Sequence, residues 1–195
     1  MGRFQQALIG GLFAATAALP AELASANDRT DCHSGDEAKL TDPKFYETGV
    51  QACTRQIAAY SGTQKAWGYR ARSSWLRRLK RYDEALADVD RALSLRPNEV
   101  EFFDAQADIF SNKGDFDRAI AAYDRAIRID PTYAAAYTSR GELYEKKGDI
   151  EQARANYRAA LATPATRAGD DTGLQQWAHR TAETKLRDLK AAPTK

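Results

Sequence analysis

The sequence has little of what most metal, haem and redox centres need. Its 195 residues include only two cysteines and two histidines, whereas zinc and iron–sulfur centres usually draw several ligands from these types. An excess of charge of one sign is also missing, because 29 basic and 27 acidic side chains leave a net charge of +2. General nucleic-acid-binding proteins usually carry a clear basic excess. We therefore expect no metal, no cofactor and no nucleic-acid partner.

A hydrophobic stretch long enough to cross a membrane is missing as well. The most apolar stretch, residues 7–19, carries no charge but is shorter than the roughly 20 residues that a membrane-spanning helix needs. It follows a short positive start and ends in a small-polar-small pattern, which is typical of a secretory signal peptide. The sequence predicts that residues 1–26 are removed between Ala26 and Asn27, and that the chain becomes periplasmic or secreted without stable membrane insertion. An uncleaved anchor is the alternative that this pattern leaves open.

Export changes what the two cysteines are expected to do. Outside the cytosol, cysteine pairs tend to oxidise, and Cys32 and Cys53 allow only one intramolecular disulfide. Closing that loop should stabilise the fold by about 3 kcal/mol. The alternative is a redox or metal-binding pair, which the long spacing and the single neighbouring ligand, His33, do not favour.

Motifs for catalysis are also missing. The sequence has no G-x-S-x-G nucleophile motif, no phosphate-binding loop and no H-E-x-x-H zinc motif. His179 has no general-base partner that the sequence reveals, and Asp170-Asp171 is typical of a linker and helix cap rather than of a catalytic carboxylate pair. We expect that the protein is not an enzyme.

What the sequence does contain is an internal repeat with a period of 34 residues. Ala85, Ala119 and Ala153 are separated by this period, and several further sets of three residues follow the same step. The first members of those sets are Tyr69, Leu76, Val89, Ala92 and Leu93. Prolines end the first two copies and come one residue early in the third, which defines the units as 66–99, 100–133 and 134–167.

Each unit is predicted to fold into two antiparallel helices. In the third unit, Tyr137, Gly141 and Tyr144 share one helical face. The pair Gly148-Asp149 then supplies a left-handed helix end followed by an N-cap. The first unit has Lys80 where the other two have glycine, so a left-handed backbone at that position should cost about 1 kcal/mol.

Residues 66–167 resemble the tetratricopeptide repeat. The resemblance depends on the 34-residue period, on an aromatic residue four positions before a small one, on the alanine–aromatic–alanine second helix, and on the closing proline. It implies an all-α fold: a right-handed solenoid of three helix-turn-helix repeats whose first helices line a concave groove. It also implies a role in binding proteins rather than in catalysis. The exported layout is similar, more loosely, to small secreted bacterial proteins of this family.

Both ends of the predicted solenoid need covering, because a terminal repeat exposes an apolar face. In the N-terminal segment 27–65, Asp42-Pro43 is a plausible start for a half-repeat helix over 43–60. On this register Cys53 faces inward, so the disulfide would hold residues 27–42 over the open end. In the C-terminal segment 168–195, a helix over 172–190 has Leu174, Trp177, Ala178, Thr181, Leu186 and Leu189 at helical spacing. We expect this helix to cap the stack, and docking of a partner is the alternative.

The same resemblance implies which side chains face the groove. They are the second, fifth, ninth, twelfth and thirteenth residues of each unit. These residues are Trp67, Arg70, Ser74, Arg77 and Arg78 in the first unit, Glu101, Asp104, Asp108, Ser111 and Asn112 in the second, and Ala135, Thr138, Glu142, Glu145 and Lys146 in the third. The groove is therefore expected to be basic with a tryptophan at one end and acidic beyond it.

A groove with both charges points to an unknown peptide or protein partner that itself carries both charges, or to a second copy of the chain. The family's clamp for C-terminal carboxylates is not favoured, because Asp104 and Glu142 stand where some of its basic and amide residues would fall. Two alternatives remain open. The charges could be a solvated surface with no partner, or the chain could be a structural subunit of an envelope or secretion assembly that binds through the solenoid ends or the cap helix.

Overall fold

In a computed structural model of the chain, the described residues are Cys32, 42–166 and 173–191. Outside the described residues lie the predicted signal peptide, its cleavage site at Ala26 and Asn27, the pair Asp170-Asp171 and, apart from Cys32 and Asp42, the segment 27–42 that we expected over the open end. Within them the regular structure is helical. The α-helices are α1 (Pro43–Ala59), α2 (Lys65–Arg78), α3 (Tyr82–Leu95), α4 (Val100–Lys113), α5 (Phe116–Ile129), α6 (Ala134–Lys146), α7 (Ile150–Ala162) and α8 (Leu174–Ala191), with a short 3-10 helix at Gly62–Gln64.

The helices pack as successive hairpins. The pairs α2 and α3, α4 and α5, and α6 and α7 have the most extensive contacts, and each pair also touches the next. Ala85, Ala119 and Ala153 of the second helices are fully buried, because small side chains at the crossing points allow the helix axes to approach closely. This stack confirms the predicted all-α solenoid of three helical hairpins.

The half-repeat helix α1 begins as the sequence indicates. Asp42 is its N-cap and accepts a hydrogen bond from the Lys44 backbone N–H at 2.9 Å, with Pro43 in the first turn. Cys53 faces inward, is fully buried, and forms the predicted disulfide with Cys32. The Trp75 indole donates a hydrogen bond to the Cys32 backbone carbonyl at 3.0 Å, so the disulfide holds Cys32 against α2 as well as α1.

The turns inside the hairpins differ between the first unit and the other two. Gly114 and Gly148 have φ of 85° and 81°, and Lys80 has φ of 60° at the matching position. The aspartates that follow the two glycines cap the next helix with hydrogen bonds to backbone N–H groups, whereas Arg81 offers no such bond. The departure of the first unit that the sequence indicates is therefore a left-handed lysine followed by an uncapped helix start.

The seventh position of each unit links neighbouring helices instead of facing the groove. The Arg72 guanidinium donates to both carboxylate oxygens of the buried Asp88, at 2.7 and 2.8 Å. Arg140 reaches the Asn156 side chain at 2.7 Å and pairs with Asp124 of the preceding unit. These contacts are consistent with a structural role for the two arginines.

Helix α8 covers the far end of the stack. Ala178 and Ala182 are fully buried, and α8 contacts both α6 and α7, so the predicted capping role is what the packing provides. The prediction for Trp177 is wrong: we expected this residue on the inner face of the helix, but its exposed fraction is 41%. The small side chain of Ala178 sits at the centre of the contact, and its neighbour Trp177 is turned out of it. None of the described helices is long and apolar enough to cross a membrane.

Candidate functional site

The first and second units form a narrow cleft on the side lined by their first helices. Arg70, Ser74 and Arg77 of α2 face Asp104 and Asp108 of α4 across a cleft of about 30 Å³. On each helix these residues are three, four or seven positions apart, which places them on one face. The structure thus brings five of the predicted groove residues together.

The charges that line this cleft are not paired with each other. Within the described residues, neither Arg70 nor Arg77 forms an ion pair with Asp104, and the Nε of Arg70 is buried without a hydrogen-bond partner. Burial, followed by the neighbouring Asp108 carboxylate, raises the pKa of Asp104 to about 7, although both arginines act in the opposite direction. A buried charge without a close partner is unfavourable, so the cleft can bind groups of complementary charge.

The acidic side of the groove is fixed by tyrosines from the second helices. The Tyr123 hydroxyl donates to Asp108 Oδ1 at 2.9 Å, and the Tyr157 hydroxyl donates to Glu145 Oε2 at 2.8 Å. Burial raises the pKa of both tyrosines, so these hydroxyls stay protonated donors at neutral pH. The sequence reveals these tyrosines only as core residues; their hydroxyl contacts depend on the pairing of the helices.

In the third unit the groove carboxylates meet the cap helix. Lys185 of α8 pairs with Glu145 at 3.2 Å. Burial raises the pKa of Glu142, and the charges of Lys185 and Lys146 oppose that rise. A cation from α8 therefore pairs with Glu145 in the acidic part of the groove. Sequence reasoning missed this contact because α8 lies outside the 34-residue period.

Other positions that the family pattern assigns to the groove are placed elsewhere. Ala135 and Thr138 are buried, and the Thr138 hydroxyl donates to the Ala178 backbone carbonyl of α8 at 3.2 Å. Arg78 is exposed, with its guanidinium 5.8 Å from the centre of the Tyr46 ring. Trp67 packs edge-on against Phe102 with ring centres 5.0 Å apart.

Of the remaining predicted positions, Glu101 lies close enough to Asp104 for its charge to raise the pKa of that residue. Ser111 is partly buried, and Asn112 donates to the Asp108 backbone carbonyl at 2.7 Å. The arginine-rich end of the predicted groove is thus divided. Arg70 and Arg77 line the cleft, while Trp67 and Arg78 lie outside it.

The described residues contain no cluster of three or more histidine, cysteine or acidic side chains that could hold a metal ion. His179, the histidine considered above as a general base, lies with its Nε2 3.2 Å from the Thr163 hydroxyl. This contact joins α8 to the end of α7 and gives the histidine a structural neighbour.

Two family models of helical repeats match parts of the chain between residues 72 and 163. A family model described as "TPR repeat" matches residues 107–148, and one described as "Tetratricopeptide repeat" matches residues 72–99 and 134–163. No curated protein matches the chain in sequence.

Several solved structures share the fold at low sequence identity. The first TPR of Spaghetti (RPAP3), bound to HSP90 peptide SRMEEVD, is 19% identical with a TM-score of 0.54, covering 66% of this chain and 92% of that one. The TPR protein YrrB, with an unusual peptide-binding site, is 20% identical with a TM-score of 0.52, covering 70% and 67%. The Yersinia enterocolitica type III secretion chaperone SycD, in complex with a peptide of the translocator YopD, is 16% identical with a TM-score of 0.53, covering 63% and 89%.

At these identities the solved structures establish the fold alone, and the family models add the sequence signature. Both agree with the helical hairpins and the 34-residue period of this chain. The chain is therefore a tetratricopeptide-repeat protein.

Proposed function

We propose that this protein is an exported interaction scaffold that binds a peptide or protein segment through its concave groove. The observation that carries the proposal is the cleft between α2 and α4. There two arginines and two aspartates line one space, and neither arginine is paired with either aspartate. Structural neighbours with the same fold bind an HSP90 peptide and a peptide of YopD, which supports a peptide as the class of partner.

The charge order of the groove describes the segment that it would accept. A carboxylate of the partner would lie against the forked donors of Arg70 and Arg77. A lysine or arginine of the partner would lie beyond it, against Asp104, Asp108 and Glu142. Charges arranged in this way mainly set association rate and partner choice. A segment with the opposite charge order should therefore bind more slowly and more weakly.

Export is supported by two independent features. The start of the sequence has the pattern of a cleaved signal peptide, and Cys32 and Cys53 form a buried disulfide. Structural disulfides persist in oxidising compartments and are rare in the cytosol. We therefore place the scaffold in the periplasm or outside the cell.

The test is affinity capture from an envelope extract with oxidised protein as bait. One bait carries Arg70→Glu and Arg77→Glu, which replace the two positive charges of the cleft with negative ones. The matched control carries Arg78→Glu and Arg125→Glu, because both of these arginines are exposed, lie outside the cleft and change the total charge equally. Circular dichroism checks that all three baits are helical.

We expect a partner that the wild type and the control retain and the cleft variant loses. Titration of a synthetic segment of that partner should then show at least a tenfold weaker affinity for the cleft variant, as is usual when hydrogen-bonded charges are lost from an interface. A partner held equally by all three baits would contradict binding in the groove.

A second function is favoured by one observation on α8. Trp177 is 41% exposed on the cap helix, and exposed tryptophans are frequent anchors of protein interfaces. The alternative is a structural or accessory subunit of an envelope or secretion assembly that docks through this helix. In the same capture experiment, a partner lost on Trp177→Glu and retained by the cleft variant would support this alternative.

A further inference from the structure

A second pocket lies near the connection between α1 and α2. The end of α1, the 3-10 helix, the start of α2 and Arg96 after the end of α3 line it. It has a volume of about 460 Å³ and shares no lining residue with the charged cleft. Tyr60 and Trp67 supply its aromatic surface, and Gln56 and Arg96 supply its main polar groups. Its size lies within the usual range for sites that bind small molecules or single side chains.

Gln56 gives the pocket a buried hydrogen-bond acceptor. Its exposed fraction is 3% and its amide nitrogen lies 3.4 Å from the Tyr60 hydroxyl, whereas its Oε1 has no hydrogen-bond partner in the described part of the chain. Buried polar atoms in native proteins are nearly always paired, and an unpaired one is unfavourable. An N–H donor on a ligand would satisfy this oxygen.

The guanidinium of Arg96 makes the pocket attractive to a negative group. The Arg96 guanidinium lies 5.8 Å from the centre of the Trp67 ring and pairs with Glu99, which is three residues away. Both side chains of that pair are solvent-accessible, so exchanging Glu99 for another carboxylate costs little.

We propose that this pocket binds a carboxylate carried beside an apolar group and an N–H donor. The carboxylate would pair with Arg96, the apolar group would pack on Trp67 and Tyr60, and the N–H would donate to Gln56 Oε1. Two sources share this chemistry: a small N-acylated amino acid, or an acidic side chain between apolar residues of a peptide. The site is separate from the charged cleft, so its test does not depend on the function proposed above.

The three tryptophans of the chain allow a direct test. Their indole N–H groups give separate signals in a proton–nitrogen correlation spectrum of oxidised full-length protein, and Trp67→Phe identifies the signal of Trp67. The other two act as internal references, because the Trp75 indole donates a hydrogen bond to the Cys32 backbone carbonyl and Trp177 lies on α8. The probes are N-acetylphenylalanine and the blocked peptide Ac-Phe-Glu-Phe-NH2. Their neutral counterparts are N-acetylphenylalaninamide and Ac-Phe-Gln-Phe-NH2.

We expect at least one acid to shift the Trp67 signal with a dissociation constant on the order of 1 mM, a typical value for a ligand of this size. The other two indoles should not move. Binding of N-acetylphenylalanine alone identifies a small acid as the ligand, and preferential binding of the peptide identifies an acidic segment. Either result supports the proposal.

Variants test each contact. Arg96→Gln should weaken binding at least fivefold and Gln56→Leu about threefold, whereas Glu99→Gln frees the guanidinium and should strengthen binding about twofold. Arg125→Gln is the matched control, because this arginine also lies over an aromatic ring, 6.0 Å from the centre of Phe103, but outside the pocket. Arg96 and Glu99 are accessible, so their variants keep the test valid if Gln56→Leu fails to fold.

Three results would overturn the proposal. The first is that neither acid shifts the Trp67 signal at about ten times the expected dissociation constant. The second is that the neutral counterparts bind as tightly as the acids. The third is that Arg96→Gln and Arg125→Gln have the same affinity as the wild type.

Discussion

At the scale of single residues, the three hairpin turns share one backbone geometry but differ in the side chain that adopts it. Lys80 adopts the left-handed backbone that Gly114 and Gly148 adopt in the other two units. Glycine has no Cβ, so it adopts this conformation without strain, and lysine does not. The first unit therefore reaches the same turn at a higher energy.

Replacing Lys80 with glycine should stabilise the protein. Lys80→Gly is expected to raise the free energy of unfolding by about 1 kcal/mol, since it relieves the left-handed strain. Urea denaturation followed by circular dichroism measures the change. Lys80→Ala is the control, because it removes the long side chain and retains the Cβ. Equal stability of the glycine and alanine variants would mean that the backbone is not the cause.

Asp104 should make stability depend on pH. Its pKa in the folded protein is about 7, above the usual value of 3.8, so between these values the folded protein holds a proton that the unfolded chain has released. Stability is therefore lost as pH rises from about 4 to about 7. The groups that face Asp104 are Arg70 and Arg77 of α2, Glu101 and Asp108 of α4, and Tyr123 of α5.

Asp104→Asn removes this dependence. We expect the variant to be more stable than the wild type by about 2 kcal/mol at pH 8, roughly half of what the full pKa difference would give because solvent screens a partly exposed group. At pH 4 the two proteins should be equally stable. Chemical denaturation at several pH values measures the difference, and the exposed Asp188→Asn provides the control. A difference that does not change with pH would contradict the raised pKa.

At the scale of helices, close approach within each hairpin depends on small residues opposite large ones. Gly141 of α6 faces Tyr157 of α7, and a Cβ built on this glycine would lie 2.7 Å from Cε1 of the tyrosine ring. Tyr157 is fully buried, so the ring has little room to move. Helix propensity alone would favour alanine at this position by about 1 kcal/mol; the packing of the second helix reverses that preference.

Gly141→Ala should therefore destabilise the fold, although it places a better helix former inside α6. We expect the free energy of unfolding to fall by about 2 kcal/mol, the usual cost of overpacking. A double-mutant cycle with Tyr157→Leu separates the two effects, because the smaller side chain makes room for the added methyl group. If Gly141→Ala costs as much in the Tyr157→Leu background, contact with this ring is not the reason.

At the scale of the whole molecule, the two ends of the described solenoid are held by different contacts. The N-terminal end is held by a disulfide between Cys32 and Cys53 under Trp75, and the C-terminal end is covered by α8. Repeat stacks are stabilised mainly by contacts between neighbouring units. A change at one end should therefore be felt most by the unit next to it.

Removing the disulfide should loosen the N-terminal end first. The double substitution of Cys32 and Cys53 by alanine is expected to lower the free energy of unfolding by about 3 kcal/mol and to speed hydrogen exchange in α1 and the start of α2. Amides of α6 and α7 should keep their protection in native conditions. Reduced wild-type protein is the control and should behave like the variant. Equal loss of protection along the whole chain would show that the ends are not independent.

The sequence predicts the repeated core more fully than it predicts the groove. The 34-residue period predicted the three hairpins. The helical spacing of apolar residues in the two flanking segments predicted the inward-facing Cys53 and the capping role of α8, because this spacing reflects which side of a helix is buried. The resemblance to the tetratricopeptide repeat implied that Arg70, Arg77, Asp104 and Asp108 face the groove. Helical spacing agrees with this grouping, because residues three, four or seven positions apart share one face of a helix.

Tertiary structure decided which of those side chains meet. Trp67 and Arg78 share a helix with Arg70 but lie outside the cleft, while Lys185 reaches Glu145 from a helix outside the repeat. The outward turn of Trp177 and the second pocket at Gln56 also depend on how helices far apart in sequence pack. The sequence by itself therefore determined the elements and their buried faces, since these follow from local spacing. Distances between units, and with them the pairing of charges, arise only once the whole stack is assembled.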